Sequence, residues 1–136
     1  MNITKLLLAT LAATIAIIIA DSIWFLVLLK PFFASHAPKY EHEIEWMHLI
    51  GELFFAFMIA LLYPMFNKNG NTVSRGAVFG MLMGLAAAGP SGGHMMAEMG
   101  GEFFLPFVLL LSSVFSGIAA GITTAWVYER KKPSSS

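Results

Sequence analysis

The sequence predicts an all-α integral membrane protein: a four-helix transmembrane bundle with its N- and C-termini in the cytoplasm. Three observations predict it. The 136-residue chain is 57% hydrophobic and 12% charged, with mean hydropathy +0.74, whereas soluble domains carry about a quarter charged residues. Four apolar segments are long enough to cross about 30 Å of hydrocarbon at roughly 1.5 Å per residue. The basic residues also gather on one side of those segments.

The first segment covers about residues 3–29 and ends at Lys30-Pro31. From Leu6 to Leu29, Thr10, Thr14, Asp21 and Ser22 alone interrupt it. It exceeds the apolar core of a secretory signal, roughly 7–15 residues, and Ile19-Ala20 makes a poor cleavage site. A retained transmembrane helix is expected. The second segment covers about residues 46–66. The third covers about 73–88, near the lower length limit, and is expected to stop at Gly89-Pro90. The fourth covers about 103–128 and ends in Glu129-Arg130-Lys131-Lys132-Pro133. Pro106 falls in its first turns, where a missing N–H costs little. Residues 1–136 form one transmembrane domain.

Four spans put both termini on the same side, with Lys5, Lys68, Arg75, Arg130, Lys131 and Lys132. The other side carries only Lys30 and Lys39. This asymmetry favours cytoplasmic termini, in a bacterial inner membrane. Trp24, Trp46 and Trp126 fall toward segment ends, as interfacial anchors do. The histidines and most acids collect on the outer side: His36, His42, His48, His94, Glu41, Glu43, Glu45, Glu52, Glu98 and Glu102.

Small residues recur every four positions. The third segment reads Gly76, Gly80, Gly84, Ala88; the fourth Ser113, Gly117, Gly121, with Ser116 and Ala120 beside them; the first Ala12, Ala16, Ala20. Such stripes let helix backbones approach closely in lipid. They pack the bundle internally, or one of them serves self-association or another membrane subunit.

Asp21 is the sharpest polar signal. It lies roughly 7 Å outward of its helix centre by the helical rise, and an intramembrane ionisable group is a functional hypothesis by default. Glu52 reaches a similar depth on the second helix, with His48 about one turn above it. Antiparallel first and second helices could bring the three together, where they form either a proton relay or a satisfied structural knot. The stripe Glu41, Glu45, His48, Glu52 includes a Glu-x-x-His pair of the sort used in carboxylate-bridged di-iron bundles, although one copy is too few. Glu45, His48, Glu52, His94 and Glu98 make a candidate metal set for a Zn or Fe ion. Met47, Met95, Met96 and Met99 would suit Cu instead. A haem between His48 and His94 is disfavoured, because His94 is expected in a glycine-rich loop.

Other chemistries are excluded. Without cysteine there is no disulfide, thiolate site or cysteine nucleophile. No Gly-x-Ser-x-Gly, phosphate-binding loop or His-Glu-x-x-His occurs, so no enzymatic activity is expected. No long basic run suggests nucleic acid.

The runs Ile59-Ala60-Leu61-Leu62-Tyr63-Pro64-Met65-Phe66 and Arg75-Gly76-Ala77-Val78-Phe79-Gly80-Met81-Leu82-Met83-Gly84-Leu85 resemble small four-helix bacterial membrane proteins of unknown function. Those proteins carry a Tyr-Pro turn after the second helix and a glycine-rich third helix. Trp24 and Lys30-Pro31-Phe32-Phe33 are similar as well. The resemblance implies the fold and carries no site residues. The leading functional expectation is a non-enzymatic subunit or accessory protein, packed against a larger membrane complex or against itself. The alternatives are an outward-facing metal-handling protein, and a small transporter or proton relay using Asp21 and Glu52.

Overall fold

The computed structural model describes residues 2–31, 45–67, 72–98 and 103–129. They form four helices. α1 spans Ile3–Trp24 and runs on through a π-helical turn, Phe25–Leu29; α2 spans Glu45–Phe66, α3 Val73–Glu98 and α4 Phe104–Glu129. The expected outer stretch 32–44, the inner turn 68–71, the outer loop residues 99–102 and the tail beyond 129 lie outside the described residues.

α1 begins where Asn2 Oδ1 accepts the N–H groups of Thr4 (3.0 Å) and Lys5 (3.4 Å), two of the orphan donors at any helix start. Thr72 Oγ1 caps α3 in the same way, accepting from Arg75 N–H at 3.3 Å. Three stretches are long and apolar enough to cross a membrane: Ile3–Leu28, His48–Phe66 and Pro106–Glu129. α3 has the length, at 26 residues, but is not among them. Its glycines, alanines and serines gain less from leaving water than leucine or isoleucine would. Outward-facing Leu7, Leu11, Ile15, Phe54 and Phe107, each more than half exposed, make a surface suited to lipid.

α3 runs through Gly89-Pro90 to Glu98, where the sequence suggested an end and a loop. A proline removes one donor from the ladder rather than the whole ladder, and neighbouring hydroxyls can fill in. Ser91 ties the same turn together, donating toward the carbonyls of Ala88 (3.1 Å) and Ala87 (3.4 Å). Pro64 likewise sits inside the last turns of α2 rather than in a turn beyond it.

α4 touches all three other helices, and its contact with α3 is the most extensive in the molecule. Glycine causes that contact. A methyl group at Gly80 would overlap the Gly117 carbonyl, one at Gly84 the Ser113 carbonyl, and one at Gly76 the Gly121 carbonyl. Gly117 and Gly121 meet the Gly80 and Gly76 carbonyls reciprocally. The two stripes therefore face each other within one chain. On α1 the buried face is Leu6, Ala9, Ala13 and Ile17, not the expected Ala12, Ala16 and Ala20. A helix apolar all round gives no periodic signal of which side turns inward.

The core joins Ala13 and Ile17 of α1, Ala56, Ile59 and Tyr63 of α2, Phe79 of α3, and Ala120 and Ala125 of α4. Fully buried Tyr63 is its polar hub. Its hydroxyl accepts from Asn67 Nδ2 at 2.9 Å and donates toward the Thr72 carbonyl at 3.4 Å. Arg75 donates to Asn67 Oδ1 at 3.0 Å. Tyr128 ties α4 to α2 by donating to the Ala60 carbonyl at 3.0 Å, and Lys5 reaches the Tyr128 carbonyl at 3.3 Å. Tyr63→Phe keeps the ring packing against Phe79 and Tyr128 and removes only the hydroxyl. The expected cost is about 1 kcal/mol, read as a lowered melting temperature by circular dichroism in detergent.

Candidate functional site

Three helices converge near the end of the bundle away from Lys5 and Tyr128. α1 contributes Asp21, one turn before its π-helical turn. There the N–H of Phe25 is shared between the carbonyls of Asp21 and Ser22, and the N–H of Lys30 reaches Phe25 five residues back. Single π turns are found frequently at functional sites. α2 contributes His48 and Glu52, four residues apart and so on one face. α4 contributes Ser112 and Ser116, again four apart.

The polar contacts are specific. Both serine hydroxyls donate to the same oxygen, Asp21 Oδ1: Ser112 at 3.1 Å, and Ser116 more closely. His48 Nε2 lies 3.0 Å from Glu52 Oε1. One ligand atom from each of Asp21, His48 and Glu52 lies within 4.8 Å of the other two. Glu52 is only 8% exposed, whereas the His48 side chain is 70% exposed. Glu52 Oε2 is buried and meets no N–H or hydroxyl donor, while the Asp21 carboxyl lies within hydrogen-bonding reach of Glu52.

That arrangement is incomplete as a self-contained knot. Asp21 has its donors, but Glu52 has one buried oxygen facing none. A buried carboxylate oxygen without a donor costs more than a typical hydrogen bond returns. Two carboxylates this close also repel unless a cation lies between them or they share a proton. The group therefore has the form of a cation site with one wet edge, at His48, and one dry edge.

The dry edge is closed by packing. One turn inward of Asp21 and Glu52 lie Ile17 and Ala56, and beyond them Ala13, Ile59 and Ala120, all at most 1% exposed. Further in, the hydroxyls of Thr10 and Thr124 are buried without partners, separated from Asp21 by that apolar layer. Trp24 stacks on Phe115 with ring centroids 5.1 Å apart. Its indole N–H is also buried without a partner, and so does not serve Asp21.

Of the metal set expected from the sequence, His48 and Glu52 come together, and Asp21 completes the trio. Glu45 opens α2 and Glu98 closes α3, but their side chains lie outside the described residues. The same holds for Met47, Met95 and Met96, while Met99, Glu41 and Glu102 fall in undescribed segments. His94 sits on helix rather than in a loop, is exposed, and does not belong to the trio. Ser112 and Ser116 were the residues hardest to foresee. Serine in a small-residue stripe reads as packing, and the only further signal was their spacing of four opposite a lone aspartate.

No protein family, curated protein or solved structure matches the chain.

Proposed function

We propose that this chain is a four-helix membrane bundle, with both termini cytoplasmic, that holds a cation at an outward-open carboxylate–histidine site. The carrying observation is the buried Oε2 of Glu52, which meets no N–H or hydroxyl donor, beside Asp21 and His48. The location of the basic residues supports the orientation, as does the position of the trio at the opposite end from Lys5 and Arg75. The apolar layer beneath the site supports a site served from one side over a path through the bundle. A relay across the membrane would need hydrated or hydroxyl-lined continuity, and Ala13, Ile17 and Ile59 interrupt it.

Because the chain lacks cysteine, single cysteines report access cleanly. His48→Cys is expected to react with a membrane-impermeant maleimide applied to the outer face of intact cells. Ser74→Cys, exposed at the start of α3, is expected to react only after permeabilisation. Reversed labelling, or labelling of His48→Cys from the inner side, would defeat the proposal.

A second reading, a subunit packed against a larger complex or itself, is favoured by α3. Its α4-facing stripe is used within the chain, and α3 as a whole is less apolar than the three membrane-length stretches. Co-purification in a mild detergent tests it; a clean monomer would count against it.

A further inference from the structure

We infer that Asp21, His48 and Glu52 bind a first-row divalent metal ion of the Zn²⁺ class, with Ser112 and Ser116 positioning Asp21. This rests on the outward-open cation site proposed above and names its occupant.

The donor set selects the class. One imidazole nitrogen and two carboxylate oxygens are borderline-to-hard ligands, suited to Zn²⁺, Mn²⁺ or Fe²⁺. Cu(I) is disfavoured because it prefers thiolate or thioether donors, and Ca²⁺ because it takes six to eight oxygens. Three protein ligands leave a tetrahedral ion with one open position. That position faces the exposed side of His48, where water or an external ligand can enter.

The geometry fits with small movements. Metal bonds of about 2.0–2.2 Å at tetrahedral angles place donor atoms roughly 3.3 Å apart. The three ligand atoms already lie within 4.8 Å of one another. The closure falls to His48, whose side chain is 70% exposed and is held by its contact with Glu52. Glu52 supplies the independent sign of a missing ligand: it is more than nine-tenths buried and its Oε2 meets no donor. An ion between Glu52 and Asp21 would satisfy that oxygen and cancel the repulsion between the carboxylates.

Ser112 and Ser116 complete the design. Both donate to Asp21 Oδ1, which fixes the carboxylate plane and leaves Oδ2 for the ion. Metal-ligating carboxylates are held this way by hydrogen bonds from outside the coordination sphere, whose loss typically weakens binding about 10–100-fold.

The full chain, purified in detergent and stripped with chelator, is titrated with Zn²⁺ and separately with Co²⁺. One ion per chain is expected, and Co²⁺ should give the visible absorption of a tetrahedral site. Glu52→Gln, close to isosteric, is expected to weaken Zn²⁺ binding by more than the 10–100-fold of an outer hydrogen bond. Ser116→Ala is expected to fall within that range and to shift the Co²⁺ spectrum. Helicity by circular dichroism confirms that each variant is folded. Absence of a stoichiometric ion in the wild-type chain would overturn the assignment, as would undiminished binding in folded Glu52→Gln. If His48→Cys labels from outside while no ion binds, the metal assignment alone fails. An infrared band of a protonated carboxyl, lost in Glu52→Gln, would then give the site to a proton.

Discussion

Gly80→Val is expected to be the most damaging single substitution in the chain. The first atom of any side chain at 80 would overlap the Gly117 carbonyl carbon and oxygen, and would press on the Gly121 Cα at 3.1 Å. These are backbone atoms of a helix and cannot swing aside as a side chain can. The alternatives are to part α3 from α4 or to unwind one of them. Overpacking ordinarily costs about 1–3 kcal/mol and occasionally more. With backbone against backbone, the expected loss is about 3 kcal/mol or more. It would be spread over every close approach along the seam, because separating Gly80 from Gly117 also separates Gly76 from Gly121 and Gly84 from Ser113. The contrast is Gly93→Ala. Gly93 lies in the same helix, but an added methyl there meets nothing within 4 Å. Alanine is expected to stabilise that site by about 0.5–1 kcal/mol, through helix propensity alone. Thermal unfolding of both variants in one detergent measures the difference. Equal melting temperatures would mean that the α3–α4 seam does not hold the bundle together.

The same glycines show what could and could not be read in advance. Their spacing of four was visible, and so was the tight packing it permits; their partner was not. A small-residue stripe fits any other stripe of like pitch, so intramolecular and intermolecular uses look identical in one dimension. Counting along the helices places Asp21 and Glu52 at one depth, with His48 about a turn above, because the rise per residue is fixed and antiparallel neighbours share a depth scale. Rotation about each axis was harder. α1 is apolar on every side, and nothing in it announced that Ala9 and Ala13 rather than Ala12 and Ala16 would turn inward. The end of α3 was misplaced because Gly-Pro marks a stop in water more reliably than in a helix supported by neighbours. The π-helical turn after Asp21 had no sequence signature at all. Its residues, Phe25 to Leu29, read as ordinary apolar helix.

Glu52→Leu is expected to raise the stability of the metal-free protein while abolishing cation binding. Leucine is close to glutamate in volume, so the core should accept it with little strain. Little stabilisation is lost with the carboxylate. Its polar contacts run to the exposed His48 and to the carboxyl of Asp21, and an ion pair with one partner in solvent contributes roughly 0–1 kcal/mol. Asp21 keeps both serine donors. What leaves is a buried oxygen without an N–H or hydroxyl donor, together with its repulsion from Asp21. Removing an unsatisfied buried group is worth about 1–3 kcal/mol. For a domain of this size the melting temperature should rise by several degrees in the presence of chelator. Zn²⁺ should narrow or reverse the order, since it stabilises only the chain that binds it. The opposite sign, a folded but markedly less stable Glu52→Leu in chelator, would make Glu52 a structural hydrogen-bonding group and leave the trio no reason to hold a cation. A residue whose removal strengthens the fold and ends binding is one kept for its ligand, and that inequality between wild type and variant separates a site from a knot.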